Sequence, residues 1–464
     1  MDTDIVGDWL PSINREDGPL YLSIADAIAA DVASGKLRDG VRLPAQRALA
    51  ELLGIDFTTV SRAYAEARRR NLIESRVGQG TFVRMPHRRP TEPLPSGMVD
   101  MSMNLPPRFE NADLATRLWT GIASLEERSG LDLLLRYQEP GGGAADRLGG
   151  AQWLSARLPV ISAECVLVCP GAQGALLAVA GLLTAPGDTI LVEELVYPGF
   201  RALAGQLRLR LVALRMDREG LDPEAFDAAC RSERPKAIYC TPTMHNPTTA
   251  TMSLGRRQAV AEVARRHGVP IIEDDAYGPL PRETLPALAA LVPEMTYYVG
   301  GLAKTLSPAL RIAYLAVPDA RIAIRVAGAI RATSAMASPV TAAVATRWIT
   351  DGTAAEVLDA IRAETAARRA IAAQILPSDK VVAHPESFHL WLQLQAPWTR
   401  GEFATRLRSA EVGVVMSDAF ALSHPPEAVR LGLGAARTRE ELTHGLQVIA
   451  DLLDQPPAMS SMVI

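Results

Sequence analysis

Cysteine is scarce in this chain, and what there is does not pair. Four residues in 464, Cys165, Cys169, Cys230 and Cys240, form no CxxC spacing and no Cys/His ligand set. This excludes a disulfide framework and a structural zinc site, and leaves buried thiols in a reducing compartment. Charge of one sign is missing too. Forty-eight Lys and Arg stand against 52 Asp and Glu, a net of -4, so a nucleic-acid function would need a local basic surface. Long apolar runs are absent: the Ala-rich stretch 354–373 is broken by Glu356, Asp359, Arg362 and Glu364 and reads as a soluble helix. The start, Met1-Asp2-Thr3-Asp4, is acidic and has no apolar run behind it. No signal peptide and a cytoplasmic location are therefore expected. No internal repeat is visible.

What is present is a hydrophobic content of 48% over a length suited to two or three domains. Residues 85–99 form a composition break, with Pro86, Pro90, Pro93 and Pro95 beside Arg88 and Arg89. Such a stretch reads as a semi-extended linker. It separates a unit at 12–84 from a large domain at 100–455, and 456–464 reads as a flexible tail.

In the first unit, Leu20, Ile24, Ile28 and Val32 make a helical stripe. Gly40–Pro44 turns into a second helix, about 45–53, stopped by Gly54. Asp56 can cap a third helix running to about Arg70. Val60, Ala63, Tyr64 and Ala67 would face inward. Phe57, Thr58, Ser61 and Arg62 would face outward, where a recognition helix meets base edges. Arg68, Arg69, Arg70 and Arg76 are candidates for phosphate contact. Residues 72–83 then read as two short strands with a glycine-containing tip, a wing. The plainer reading is a helical dimerisation domain with a solvated arginine face.

The large domain alternates helical patterns with short apolar strands at 166–169, 189–192, 210–214, 237–240, 270–273, 296–299 and 311–317. This predicts an α/β domain with a mostly parallel sheet. Long helices and a smaller α+β region follow, with strands near 389–394 and 429–433. Lys304, in Gly300-Gly301-Leu302-Ala303-Lys304-Thr305, stands downstream of Asn246-Pro247 and of Glu273-Asp274-Asp275-Ala276-Tyr277, and just ahead of Arg311. A lysine for a Schiff base, a carboxylate for a pyridinium nitrogen and an arginine for a phosphate are the parts of a pyridoxal phosphate (PLP) site. Singly, each is an ordinary surface lysine, strand-end cap or ion-pair arginine. In order and near strand ends, they point to one crevice.

Two resemblances sharpen the reading. Leu43-Pro44-Ala45-Gln46-Arg47-Ala48-Leu49-Ala50, Thr59-Val60-Ser61-Arg62-Ala63-Tyr64 and Gly78-Gln79-Gly80-Thr81-Phe82-Val83 resemble the winged helix-turn-helix of GntR-type bacterial regulators. This implies operator binding, with Arg42, Arg47, Arg62 and Gly80 as DNA-contacting positions. Ala45 departs from a common serine. Residues from about 101 to 453 resemble fold-type I PLP enzymes of aminotransferase class I/II.

The second resemblance implies Lys304 as the Schiff-base lysine, Asp274 on the pyridine nitrogen, and Tyr277 and Asn246 on the ring hydroxyl. Tyr197 would stack on the ring. Ala172, Gln173 and Arg311 would hold the phosphate, with Tyr137 reaching a neighbouring subunit's phosphate. Arg430 would clamp an effector carboxylate. Gly171, Gly301 and Ala303 stand where hydroxyl residues are usual, which predicts weaker or altered cofactor binding.

Together the two halves resemble the MocR branch of bacterial regulators. That implies a head-to-tail homodimer sensing PLP, or an amino compound reacting with it, and binding double-stranded operator DNA. An active aminotransferase with an accessory DNA-binding domain, and a regulator that has lost PLP and senses another ligand, are the alternatives.

Overall fold

A computed structural model describes residues 9–11, 19–33, 36–37, 40–70, 72–76, 80–83, 97–123, 125 and 135–455. Most of the expected linker, the wing tip at 77–79 and the tail at 456–464 lie outside these residues. The chain divides into two compact units between Gly97 and Met98.

The first unit packs three helices, α1 (Leu20–Ala33), α2 (Gln46–Leu53) and α3 (Phe57–Arg69), with a hairpin of β1 (Ile73–Arg76) and β2 (Gly80–Val83). Ile24 and Ile28 of α1 are fully buried, as are Val60, Ala63 and Ala67 of α3, the 3.6-residue periodicity of an amphipathic helix. Gly54 ends α2 in the left-handed conformation at φ 61°, which costs glycine little. Asp56 caps α3, accepting from the Thr58 N–H at 2.8 Å. Ala45 precedes α2 without a side-chain cap. Tyr64 reaches back across the turn to donate its hydroxyl to Pro44 O, 2.9 Å away and buried. Trp9 completes the core, its indole N–H donating to Asp31 Oδ2 at 2.8 Å.

The large unit centres on a seven-stranded sheet in the order β4-β12-β11-β10-β9-β5-β6. The strands are β4 (Val166–Cys169), β5 (Thr189–Glu193), β6 (Arg210–Leu214), β9 (Ala237–Cys240), β10 (Ile271–Asp274), β11 (Thr296–Gly301) and β12 (Ala313–Ala316). Between β6 and β9 lies a small ribbon, β7 (Met216–Asp217) with β8 (Gly220–Leu221). All but β12 run parallel, and β12 opposes both its neighbours. Except for β6, these strands are buried along their whole length, as expected for a sheet covered by helices on both faces.

The orientation of β12 alters the expectation for Arg311. That residue precedes the strand rather than opening it. Because β12 runs backwards, its beginning lies at the same sheet edge as the ends of the parallel strands. Beyond the long helix Thr353–Ile375 a four-stranded sheet forms in the order β13-β14-β17-β16: Val381–Val382, His389–Gln393, Ala428–Gly432 and Val415–Met416. A two-residue strand at the start of the unit, β3 (Val99–Asp100), pairs in parallel with β15 (Val412–Gly413). Among the described residues no helix is long and apolar enough to cross a membrane.

Candidate functional site

Strand ends build the site. Asp274 is the last residue of β10, and Lys304 follows β11 within three residues of its end. Asp274 is buried. Its Oδ2 accepts from the Tyr239 hydroxyl at 2.8 Å, and its Oδ1 is buried with no partner. Burial pushes the carboxyl up to about 6, with the Tyr239 bond opposing. A buried carboxylate oxygen without a donor is costly unless something else supplies one. Lys304 donates to Asn104 O. Burial, aided by the positive charge of Arg430, lowers its amine to about 8. Its neutral, nucleophilic form is therefore accessible near neutral pH.

Asp275, next in the chain, points away into a charge network that anchors this edge. Its Oδ2 pairs with Arg157 at 2.8 Å and accepts from the Tyr298 hydroxyl, also at 2.8 Å. Arg257 is fully buried and donates to Met252 O, Pro242 O, Pro286 O and Thr243 Oγ1. Buried ions are tolerated when they are paired and hydrogen-bonded in this way, although Asp275 Oδ1, like Asp274 Oδ1, is buried without a partner.

Around Lys304 and Asp274 stand further predicted residues. Tyr277 is buried and accepts from Asn104 Nδ2 at 2.7 Å. Asn246 Oδ1 accepts from Arg430 Nη1 at 2.9 Å. Arg430, on β17 and also buried, donates through Nη2 to Ser102 O and lies 5.2 Å from the Phe420 ring. Tyr197 precedes the helix Pro198–Gln206, its ring against Gly199, where any Cβ would come within 2.4 Å of it.

The helix Gly171–Leu183 begins with Gly171 at φ +75°. A Cβ there would lie 3.5 Å from the guanidinium of Arg311, so that arginine stands over the helix N-terminus carrying Ala172 and Gln173. Gln173 donates to Gly199 O at 2.8 Å. A Cβ at Gly301 would meet that of Ala172 at 3.4 Å, so position 301 faces the same helix end. Backbone N–H groups at a helix start together with an arginine suit an anion. Tyr137 stands apart on the surface, 88% exposed.

Sequence reasoning missed Asn104, Ser102, Tyr239 and a buried polar chain behind the site. In that chain His389 Nε2 contacts His245 O at 3.2 Å, and His245 Nε2 lies 3.4 Å from Glu193 Oε2. Burial drives Glu193 up to about 8 and His245 down to about 4. Only the apolar strands around Glu193 signalled that it would be enclosed.

In the first unit Arg47 and Arg62 are exposed, Ser61 is half-buried, and Phe57 and Thr58 are exposed. Arg62 lies 4.2 Å above the Tyr21 ring, and Arg47 5.9 Å from that of Phe57. Exposed Arg42 forms a bridge with Phe82, and Gly80 (φ +115°) faces its guanidinium. Arg70 departs from the phosphate role expected of it. It is held between Asp26 of α1 and Glu66 of α3, and Glu66 also engages Arg69 at 2.8 Å. A guanidinium satisfied by two carboxylates has little left for a third anion. Arg68 is exposed and donates to Ser75 Oγ at 3.4 Å.

Comparison with known proteins agrees with both units. The sequence pattern of the family "Aminotransferase class I and II" matches residues 118–449, and that of "Bacterial regulatory proteins, gntR family" matches 20–83. The HTH-type transcriptional regulator YdeF of Bacillus subtilis, itself uncharacterized, is 28% identical over 452 residues, covering 96% of this chain and 97% of its own. The probable rhizopine catabolism regulatory protein MocR of Rhizobium meliloti is 28% identical over 330 residues, 65% of this chain and 66% of its own. Among solved structures, LysN, the alpha-aminoadipate aminotransferase of Thermus thermophilus, superposes with a TM-score of 0.69 at 23% identity, over 77% of this chain and 92% of that one. This likeness establishes the shared fold.

Proposed function

Because the chain belongs to the aminotransferase class I and II family and carries a gntR-type DNA-binding unit ahead of that domain, we propose that it is a MocR-like transcription regulator that senses PLP, or an amino compound reacting with it, at Lys304. The observation carrying this reading is the buried, unpartnered Oδ1 of Asp274 beside an amine lowered to about 8. A buried, unsatisfied acceptor fits a protonated ring nitrogen. LysN, of the same fold, was solved with N-(5'-phosphopyridoxyl)-L-leucine.

Bound PLP would supply an aldehyde that condenses with an amine, releasing water, and a ring that withdraws electrons. The chain's residues would do the rest. Asp274 would hold the ring nitrogen protonated, and Tyr277 and Asn246 would hold the ring hydroxyl. Tyr197 would cover one ring face. Arg311 with the Ala172 and Gln173 N–H groups would bind the phosphate, joined by Tyr137 from a second copy in a homodimer. Arg430 would bind an effector carboxylate in two-point fashion.

On the DNA side, α3 would enter the major groove of operator DNA with Phe57, Thr58, Ser61 and Arg62, while Arg42, Arg47 and Gly80 would approach the backbone. The effector must bind two arrangements of the protein unequally to change DNA binding. The intact trio Asn246, Asp274 and Lys304 also favours a second reading, a working aminotransferase. Turnover of an amino donor with a 2-oxo acid at enzyme-like rates would select it.

The test is absorbance of the purified protein with added PLP beside Lys304→Ala, followed by titration with amines and footprinting on DNA. A band lost in the variant, shifted by one class of amine and accompanied by an altered footprint, is expected. Absence of any Lys304-dependent band would overturn the cofactor reading.

A further inference from the structure

Lys304 and Arg430, the two cations that an amino-acid-like ligand would engage, are both held by one short piece of chain. Lys304 donates to Asn104 O, and Arg430 donates to Ser102 O, two residues away. The Asn104 side chain ties the same piece to Tyr277 through Nδ2, while its Oδ1 is buried without a partner. Asp100 shapes the segment's start, its Oδ1 accepting from the Ser102 N–H at 2.8 Å.

On its other side the segment is stitched to the smaller C-terminal region. The Val99 N–H donates to Glu411 O at 2.7 Å, the Met101 N–H to Gly413 O at 2.8 Å, and the Gly432 N–H to Met101 O at 2.8 Å. The fit is tight. A Cβ at Gly432 would fall 2.5 Å from Met103 O, and one at Gly434 1.9 Å from Leu105 O. Residues 100–105 thus bridge the Lys304 loop and the strand that bears Arg430. They are also the first part of the large unit after the proline-rich stretch that leads from the DNA-binding unit.

We propose that Asn104 is a positioning residue for Lys304 and Tyr277, and that residues 100–105 form a strap displaced when a ligand engages Lys304 and Arg430. The inference rests on the reading of Lys304 as the capture residue. An amine that has condensed with a carbonyl has fewer N–H bonds to offer the Asn104 carbonyl. A carboxylate on Arg430 competes directly with Ser102 O, and a charge-assisted bidentate pair outweighs a bond to a neutral carbonyl. Both holds are free at once when the carbonyl of PLP has condensed with Lys304, releasing water, and a carboxylate occupies Arg430; an amine that later displaced Lys304 from that carbonyl would give the lysine back its N–H bonds. Joint occupancy of the two cations would therefore be felt where the tether to the DNA-binding unit joins the large unit.

Amide hydrogen exchange of the full chain, read over residues 99–105 alongside absorbance, tests this. Lys304→Ala alone is expected to speed exchange at Met101 and Ser102 roughly tenfold or more, the effect of losing a bond from a charged donor. Saturating PLP should do the same to the wild type and nothing further to Lys304→Ala. Asn104→Ala keeps the carbonyl but loses the tie to Tyr277. It should loosen these residues while exchange in β10 and β11 stays unchanged, which separates a local effect from general unfolding. Unchanged exchange over 99–105 in Lys304→Ala, and in wild type whose absorbance band reports bound PLP, would overturn the strap and leave the cofactor reading standing. Loosening by Lys304→Ala with no Lys304-dependent band would overturn the cofactor reading and support the holding role of Asn104.

Discussion

Replacing Arg430 with glutamine should make Lys304 a poorer nucleophile at neutral pH. Burial is the chief reason that this amine titrates near 8 rather than at the ordinary 10.5, and the guanidinium of Arg430 adds to it, with Asp274 opposing. At pH 7 an amine with that value is neutral in about one molecule in ten, against about one in three thousand for an ordinary lysine. The environment thus yields roughly 300-fold more reactive amine at the same pH. Removing the Arg430 charge takes away the second cause and leaves burial. The midpoint should rise above 8 and remain below 10.5, and capture at pH 7 should slow in proportion. The assay is the rate of carbonyl capture from about pH 6 to about 10, trapped by borohydride and located by mass spectrometry. In the wild type the logarithm of the rate should climb with pH and level near 8. A wild-type midpoint at 10 or above would refute the reasoning, since it would show an amine that water still solvates fully. An unmoved midpoint in Arg430→Gln would refute the part assigned to that charge.

Other expectations follow from the same geometry. Burial raises Glu193 from 4.5 to about 8. Between those values the native protein keeps a proton that the unfolded chain releases, so wild-type stability should fall as pH rises through that window, by up to about 1.4 kcal/mol per pH unit. Glu193→Gln should lack this decline, so denaturant midpoints of the two proteins should converge at the acid end and diverge toward pH 8. Arg62→Ala should weaken operator binding by about 1–3 kcal/mol, because this side chain is exposed on α3. Arg70→Ala should instead lower the stability of the first unit and leave the salt dependence of DNA binding unchanged, since Asp26 and Glu66 hold that guanidinium; a reduced salt slope would show that it meets phosphate after all. Gly301→Ser should tighten PLP roughly tenfold in a spectroscopic titration, by restoring one hydrogen bond to a charged group at a position facing Ala172. Unchanged or weaker binding would mean that the phosphate lies elsewhere.

Much of the fold was legible because its signals are local. The buried strands are short apolar runs between turn residues, and the inward face of α3 follows from spacing alone, so Val60, Ala63, Tyr64 and Ala67 could be read without coordinates. Lys304, Asp274 and Arg311 could be singled out as candidates because each carries a chemistry that few residue types supply. The antiparallel course of β12 was not, since orientation depends on the connection and not on the strand's own residues. Asn104 and Ser102 escaped notice because their backbone carbonyls do the holding, and a carbonyl leaves no mark in a sequence. The pairing of Arg70 was hidden for a related reason. Asp26 lies 44 positions away, and in a run of three arginines nothing local distinguishes the one that turns inward.

The contact between Gly80 and Arg42 bears on how such a protein changes its DNA target. Any side chain at position 80 would begin 2.7 Å from Arg42 Nε, in a backbone conformation that already disfavours one. The wing and the turn before α2 are therefore not independent dials. A library that randomised position 42 against a fixed glycine would hold many foldable members. One that randomised position 80 with Arg42 retained would strain the backbone at φ +115° and push the arginine end aside, whereas a library varying both positions lets a smaller residue at 42 make room. Altered specificity in this unit is thus a problem of correlated substitutions, to be searched in pairs.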